Sequence, residues 1–238
     1  MNLQYQIYED TPVITFLSEN GENRLATKTL LELSMTLKRI EQEGYLCAII
    51  TGHGKHFCLG GDLSDLSAMS YTEIEKFGKV FSDTLLTMLR CGIVIISAVN
   101  GSVSGGGINL VDASDLAVAS KDALFSIPEV EGGLPPVISY VGMYRNVSRK
   151  LVNELAFSSS PITADDAMKL GLLNRVVETE KVFDSALEFS SKIRQAGAFC
   201  AHEIKTLSVR MDGGRLETQL KAAADRLSGI MLSRRNCT

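Results

Sequence analysis

Apolar residues along this chain follow two alternating rhythms. Residues 3–8 (LQYQIY) and 12–17 (PVITFL) are β-rich runs separated by Glu9, Asp10 and Thr11, a pattern that predicts a hairpin. Leu30, Leu33, Leu37 and Ile40 then recur at helical spacing, which predicts an amphipathic helix over about 27–42. Leu46–Ile50 reads as a buried strand that runs into a glycine-rich loop at 52–61. A second helix fills 71–90, and Ile93–Val99 is another apolar strand entering a second glycine cluster. Asp115–Ala119 and Ala123–Ile127 predict short strands. Beyond Pro136 the pattern turns helical at Ala164–Leu170, Lys181–Ile193, Cys200–Arg210 and Leu216–Met231, with a strand near Leu173–Val177. Strand–helix alternation followed by a helical tail predicts an α/β fold with a C-terminal helical appendage. In the last helix Leu216, Leu220, Ala223, Leu227 and Ile230 form an apolar stripe. It either packs on the chain's own core or forms a subunit interface.

Composition removes several classes of function. The chain has 238 residues, 45% of them hydrophobic and 22% charged, with a formal net charge of −4, the profile of an ordinary globular domain. That acidic balance argues against a nucleic-acid partner, which requires a basic stripe to displace counterions. The charge-free stretch Cys91–Val111 contains five Gly and three Ser, and its apolar core Ile93–Val99 is too short to span a bilayer. The start, MNLQYQIYED, lacks a basic end and an apolar run, so no membrane partner and a cytoplasmic location are expected. The five Cys (47, 58, 91, 200 and 237) include no C-x-x-C pair and the His number only three, so no metal site is expected.

The 20 glycines are unevenly placed: four lie in 52–61, four in 101–107 and two at 132–133. Gly52-His53-Gly54 after a strand imitates a dinucleotide fingerprint, but the third position is Phe57, so that reading fails. No P-loop lysine closes a G-x4-G, and Gly101-Ser-Val-Ser-Gly105 has valine where a nucleophile elbow needs serine. What remains is two strand-to-loop junctions of the same design, Thr51 to Leu63 and Val99 to Leu110. Glycines there let a substrate approach the backbone. Where such a loop opens a helix, free N–H groups and the helix dipole favour negative charge. Two converging N–H donors make an oxyanion hole.

These junctions resemble a known family. Phe57-Cys-Leu-Gly-Gly-Asp-Leu63 is similar to the F-S-A-G-A-D-(L/I) signature of the enoyl-CoA hydratase/isomerase (crotonase) superfamily, and Asn100 to Leu110 to its N-G-x-A-x-G-G-G-x-E-L. Ser114-Asp-Leu-Ala-Val-Ala119 resembles C-D-I-x-x-A, and Phe125-Ser-Ile-Pro-Glu-Val-Glu-Gly-Gly133 resembles F-x-x-P-E-x-x-x-G. Ile162-Thr-Ala164 through Val177 is similar to I-x-A-x-x-A-x-x-x-G-L-V-x-x-V-V, so the resemblance covers about 12–178. It implies a crotonase-like spiral of ββα units at 1–178 carrying a thioester site, and a C-terminal helical region at 179–238 that forms trimers or hexamers and covers the site. It implies an acyl thioester of coenzyme A, or of a carrier protein, as partner, with no cofactor beyond the CoA or phosphopantetheine moiety. By position, the N–H groups of Gly61 and Gly106 would hold the thioester oxygen as an enolate. Arg24 occupies the region where members grip the CoA nucleotide, and Gly60, Asp62 and Leu63 join it as candidate binding positions, with Asp62 bracing the loop.

One departure matters more than the match. Typical hydratases grip the attacking water between two glutamates; here the first position is Asn109 and only the second, Glu129, is kept. Asn can hydrogen-bond a water but cannot take up a proton. Glu129 is therefore the expected acid/base, its pKa raised by its apolar neighbours if buried, and Asn109 a partner for water or substrate. Single-glutamate members take two routes, isomerisation of Δ3,Δ2-enoyl-CoA or hydration and dehydration. Gly132 to Val141 resembles the G-L-x-P-x-x-I-S-x-x-V of the hydrating group, which favours hydration. A decarboxylase of carboxyacyl thioesters and a non-catalytic thioester-binding protein remain as alternatives. Glu131 supplies a second carboxylate if 129–131 is extended and points away if it is a turn. His53 and His56 read as loop decoration and Asp112 as structural. Tyr140 and Tyr144 line the acyl pocket or merely pack, and Lys205 is a candidate phosphate contact.

Overall fold

The computed structural model describes residues 2–61, 69–144, 146–211 and 215–235. Asp62 and Leu63 lie outside the described residues, and the same holds for the side chains of Leu216 and Ala223.

Strands β1 (Asn2–Tyr8) and β2 (Thr11–Leu17) form the expected hairpin. Its turn is only Glu9 and Asp10, both at positive φ (45° and 60°), as a two-residue turn matching strand twist requires. Helix α1 (Thr27–Gln42) buries Leu30, Leu33, Leu37 and Ile40, the residues whose spacing predicts it. Then come β3 (Cys47–Gly52), β4 (His56–Cys58) and α2 (Tyr71–Arg90). Ser70 and Glu73 close a capping box at the start of α2, each accepting from the other's backbone N–H. The same order repeats in β5 (Val94–Val99), β6 (Ser102–Ser104) and α3 (Gly106–Ala113), and again in β7 (Leu116–Ser120) and β8 (Leu124–Ser126). A 3-10 turn at Pro128–Val130 and helices α4 (Val137–Met143) and α5 (Arg149–Ser158) follow. After them come β9 (Ile162–Thr163), α6 (Ala164–Lys169), β10 (Arg175–Val177), α7 (Val182–Met211) and α8 (Arg215–Arg235).

In each repeat the first strand joins a large sheet, ordered β1-β2-β3-β5-β7-β10, and the second joins a small one, ordered β4-β6-β8-β9. The pairs β3–β5, β5–β7, β4–β6 and β6–β8 are all parallel. The chain thus winds as a spiral of ββα units. Both faces of the large sheet are covered at its central strands β3, β5 and β7, which are accordingly apolar rather than alternating, whereas the edge strand β1 is largely exposed. On β3, Ala48 and Ile50 face the main core with α1 and α2, while Cys47 and Ile49 face Val182 and Ala186 of α7.

The helical tail differs from its expected outline. Residues predicted as two helices with a gap at 194–199 are helical up to a single break at Gly197, whose φ of 83° no helix admits. Helix α8 packs against α2 and α4. Leu220 is fully buried there, with Leu227 and Ile230 packed on the core, so these three residues of the stripe pack on their own chain. Lys205 corrects another expectation. It is 3% exposed, donates to Asp115 Oδ2 at 2.6 Å and to the Met88 carbonyl at 3.0 Å, and cannot reach a phosphate in solvent. Among the described residues no helix is long and apolar enough to cross a membrane, and no group of three or more His, Cys, Asp or Glu is arranged for a metal.

Candidate active site

The two glycine loops meet edge to edge. Gly60, at φ 76°, lies so near the second loop that a Cβ there would stand 2.8 Å from the Ser104 carbonyl and 3.0 Å from the Gly106 nitrogen. Gly105, at φ 50°, would carry a Cβ 3.1 Å from Glu129 Oε1. Only glycine satisfies both the backbone angle and the approach. Three polar side chains pin the loops. Asn100 accepts from Gly52 N at 3.0 Å and donates to the Gly54 carbonyl at 2.9 Å. The buried Asn23 donates to the carbonyls of His53 and His56 at 2.9 and 2.8 Å. Arg24 donates to the carbonyls of Leu59 and Gly61 at 3.2 and 3.5 Å and pairs with Glu22 at 2.7 Å. Leu25 N adds a 2.7 Å bond to the Gly60 carbonyl. Arg24 is therefore tied to the loop that ends in Gly61, with about a third of its side chain exposed.

Gly61 and Gly106 line a common cavity of about 70 Å³ together with Glu129 and Ser139; its remaining walls are apolar, among them Phe77, Phe81, Leu134 and Leu227. Gly106 is the first residue of α3, where the leading N–H groups have no partner within the helix. Neither its N–H nor that of Gly61 donates to another described residue. At the Gly106 end the cavity therefore faces the positive end of a helix dipole, which favours negative charge there.

Glu129 reaches the cavity from the Pro128–Val130 turn, which Leu134 N closes by donating to the Glu129 carbonyl at 2.9 Å. Ser139 donates to Glu129 Oε1 at 2.5 Å, whereas Oε2 is sealed from solvent with no partner among the described residues. Burial pushes the Glu129 carboxyl above the ordinary carboxylate range, and the bonds from Ser139 and from the residue's own backbone N–H pull it partly back. A base with raised affinity for protons, in a dry pocket, suits proton transfer near neutral pH.

Other candidates fall outside this group. Asn109 is buried, and its Nδ2 donates to the carbonyls of Ile138 (3.2 Å) and Ser139 (3.5 Å); it is not part of the cavity wall. Glu131 is exposed, since 128–130 turns instead of extending, and the two carboxylates diverge. Asp112 accepts from Asn146 Nδ2 at 2.8 Å, a structural bond as expected. His53 is exposed and His56 half-buried, and neither lines the cavity. Tyr140 and Tyr144 stack at 6.0 Å and line an open apolar groove of about 650 Å³, which shares Pro135, Pro136 and Val137 with the cavity. Asn100 and Ser139 fall inside stretches that resemble family motifs without a role being assigned to either, and Asn23 is singled out by no pattern. For Ser139 the available signal is a hydroxyl inside the apolar run 137–143.

Comparison with known proteins identifies the family and the fold. The family model described as enoyl-CoA hydratase/isomerase matches residues 6–233. A short-chain-enoyl-CoA hydratase of Clostridium acetobutylicum is 33% identical over 184 residues, covering 76% of this chain and 70% of that protein. A crotonyl-CoA hydratase of Syntrophomonas wolfei is 28% identical over 232 residues, 96% of this chain and 86% of that one. The crystal structure of an enoyl-CoA hydratase of Mycobacterium smegmatis superposes with a TM-score of 0.85 at 28% identity, covering 98% of this chain and 90% of the other. With its spiral of ββα units, the chain belongs to the enoyl-CoA hydratase/isomerase family of enzymes.

Proposed function

We propose that this chain adds water across the C2=C3 bond of an enoyl thioester of coenzyme A, and removes it in the reverse direction. The observation that carries the reading is one carboxylate, Glu129, with a buried oxygen in a small, mostly apolar cavity that Gly61 and Gly106 also line. The thioester oxygen sits between the N–H groups of Gly61 and Gly106. Water attacks C3 as Glu129 Oε2 takes its proton, and the double-bond electrons pass to C2 and the thioester oxygen. The two N–H groups hold the resulting enolate. Protonated Glu129 then gives its proton to C2, so one water is added and the carboxylate is restored. Each backbone donor is worth roughly 10²–10³ in rate. Coenzyme A is the favoured handle because the relatives are named for CoA substrates. Gly60 lies on the first glycine loop and Arg24 is tied to it from the segment before α1, and the acyl chain leaves along the groove past Val137 and Tyr140. No other cofactor enters.

A second reading rests on Asn109, which is turned away from the cavity and leaves a single carboxylate there. One base suffices to move a proton between C2 and C4, so Δ3,Δ2-enoyl isomerisation uses the same residues. Assays of the purified protein on 2-enoyl and 3-enoyl thioesters, each on CoA and on a carrier protein, separate these routes. Glu129→Gln should lower either activity by about 10²–10⁴. Retention of most activity would point to decarboxylation, in which the two donors suffice. Failure of the wild type to hydrate or isomerise any enoyl thioester would falsify the reading.

The division into a core at 1–178 and a helical cover at 179–238 is part of the same proposal, and so is assembly into trimers or hexamers. Its support is a line of exposed apolar side chains beyond Gly197, Phe199, Ile204 and Leu207. Sedimentation of the purified protein tests it, a monomer being the adverse result.

A further inference from the structure

Asn109 stands where the family's pattern has its first glutamate, and its neighbours indicate what it does instead. The side chain is 1% exposed and wedged against Gly142: a Cβ on that glycine would lie 1.6 Å from Asn109 Nδ2. No other residue at 142 leaves room for it. From there the amide donates to the carbonyls of Ile138 and Ser139, the second and third residues of α4. Those carbonyls fix the backbone from which the Ser139 hydroxyl reaches Glu129 Oε1. Ser139 is itself buried.

The terminal torsion of a glutamate is broad and nearly two-fold, so an unrestrained carboxylate offers either oxygen. Here Oε1 is taken, and Oε2 is left as a dry acceptor without a partner among the described residues. Among the described residues that line the cavity, from the loops, α2, α3, α4 and α8, no titratable side chain other than Glu129 is present. The hydroxyl of Ser139 is the remaining polar side-chain group there, and no cation shares its task.

We propose that Ser139 is the positioning residue of Glu129, selecting Oε2 as the atom that trades the proton, and that Asn109 acts through it by fixing the turn of α4 that carries the hydroxyl. This deepens the hydration reading and rests on it. A donated hydroxyl stabilises the ionised carboxylate, so its loss drives the Glu129 titration upward. Because the base must be ionised, the acid limb of kcat/KM then moves to higher pH. A residue that only filled space would move neither.

The test follows the carboxyl carbon of Glu129 by 13C NMR titration, with its resonance assigned by its loss in Glu129→Gln, alongside pH–rate profiles of folded Ser139→Ala, Ser139→Thr and Asn109→Ala. For Ser139→Ala the expected result is a titration and an acid limb both shifted to higher pH, with kcat lowered roughly 10- to 100-fold. Ser139→Thr, which keeps a hydroxyl, should restore both toward wild type, and Asn109→Ala should shift both in the same direction by less. An unshifted titration and acid limb in folded Ser139→Ala overturn the proposal. The titration needs no turnover, so a wild type inactive on every enoyl thioester would count against the functional reading and not against the bond between Ser139 and Glu129.

Discussion

Two carboxylates illustrate how far residue identity alone goes. The place of Glu129 is legible in the sequence, because the family motif it resembles sets it on the cavity that Gly61 and Gly106 also line. The partner of Asp115 is not: nothing in an isolated Lys205, ninety positions away, tells that a helix will lay its ammonium on that carboxylate. Asn109 is legible in position and not in direction, since a motif fixes backbone register and says nothing of which way an amide points. The two acids lead to opposite stability tests. Asp115 also accepts from Ile95 N at 2.8 Å, so Lys205→Ala strands an acid that joins two strands to α7, at a cost of about 3 kcal/mol in denaturant unfolding. Activity per folded molecule should hold. Glu129 has its proton affinity raised by folding, so the folded state binds that proton more tightly than the unfolded chain, and stability falls as pH climbs from the ordinary carboxylate value through the raised one. Glu129→Gln should therefore raise Tm at pH 8 relative to wild type, by about 2–4 °C for each kcal/mol released, with a smaller gain at pH 4. Equal gains at both pH values would contradict the assigned cause.

At the scale of elements, legibility follows length and burial. The central strands β3, β5 and β7 announce themselves as apolar runs because both faces are covered, and α1 and α2 begin and end where their periodicity does. The small sheet is invisible as a unit: β4, β6 and β8 are three residues each and β9 two, too short to show any period. Helix α3 is hidden by opening on glycines, poor helix formers kept here for close approach. Two glycines at positive φ separate these causes. Gly197 breaks α7 with nothing within 4 Å of where a Cβ would stand, so Gly197→Ala should cost about 1 kcal/mol of strain and leave catalysis alone. Gly105→Ala carries the same kind of strain and also pushes on Glu129 Oε1. Its kcat should fall by at least about tenfold beyond any loss of folded protein. Equal kinetics for the two variants would mean that the Gly105 approach is irrelevant to the base.

The whole molecule explains why three residues so far apart in the chain converge. Gly61 follows β4, Gly106 follows β6 and Glu129 follows β8, each two or three positions beyond the second strand of its unit. Those strands are parallel neighbours in the small sheet, so successive turns of the spiral deliver equivalent positions side by side. Repetition of structure thus brings the two glycines and the carboxylate to one cavity, although the sequence shows no internal repeat. The remaining wall comes partly from Phe77 and Phe81 of α2, within the first unit, and partly from outside the repeats, from 134–136, from α4 and from Leu227 of α8 in the C-terminal tail. Burial is the first cause of the raised Glu129 pKa, so the tail should control the base by excluding water. Leu227→Ala admits water, relaxes the carboxyl toward its ordinary value and moves the acid limb of kcat/KM to lower pH, opposite in sign to Ser139→Ala. Its kcat should fall, because an enolate is held less firmly in a wetter site. If both variants shift the limb the same way, dehydration by the tail and the Ser139 bond are not the two opposing controls on Glu129.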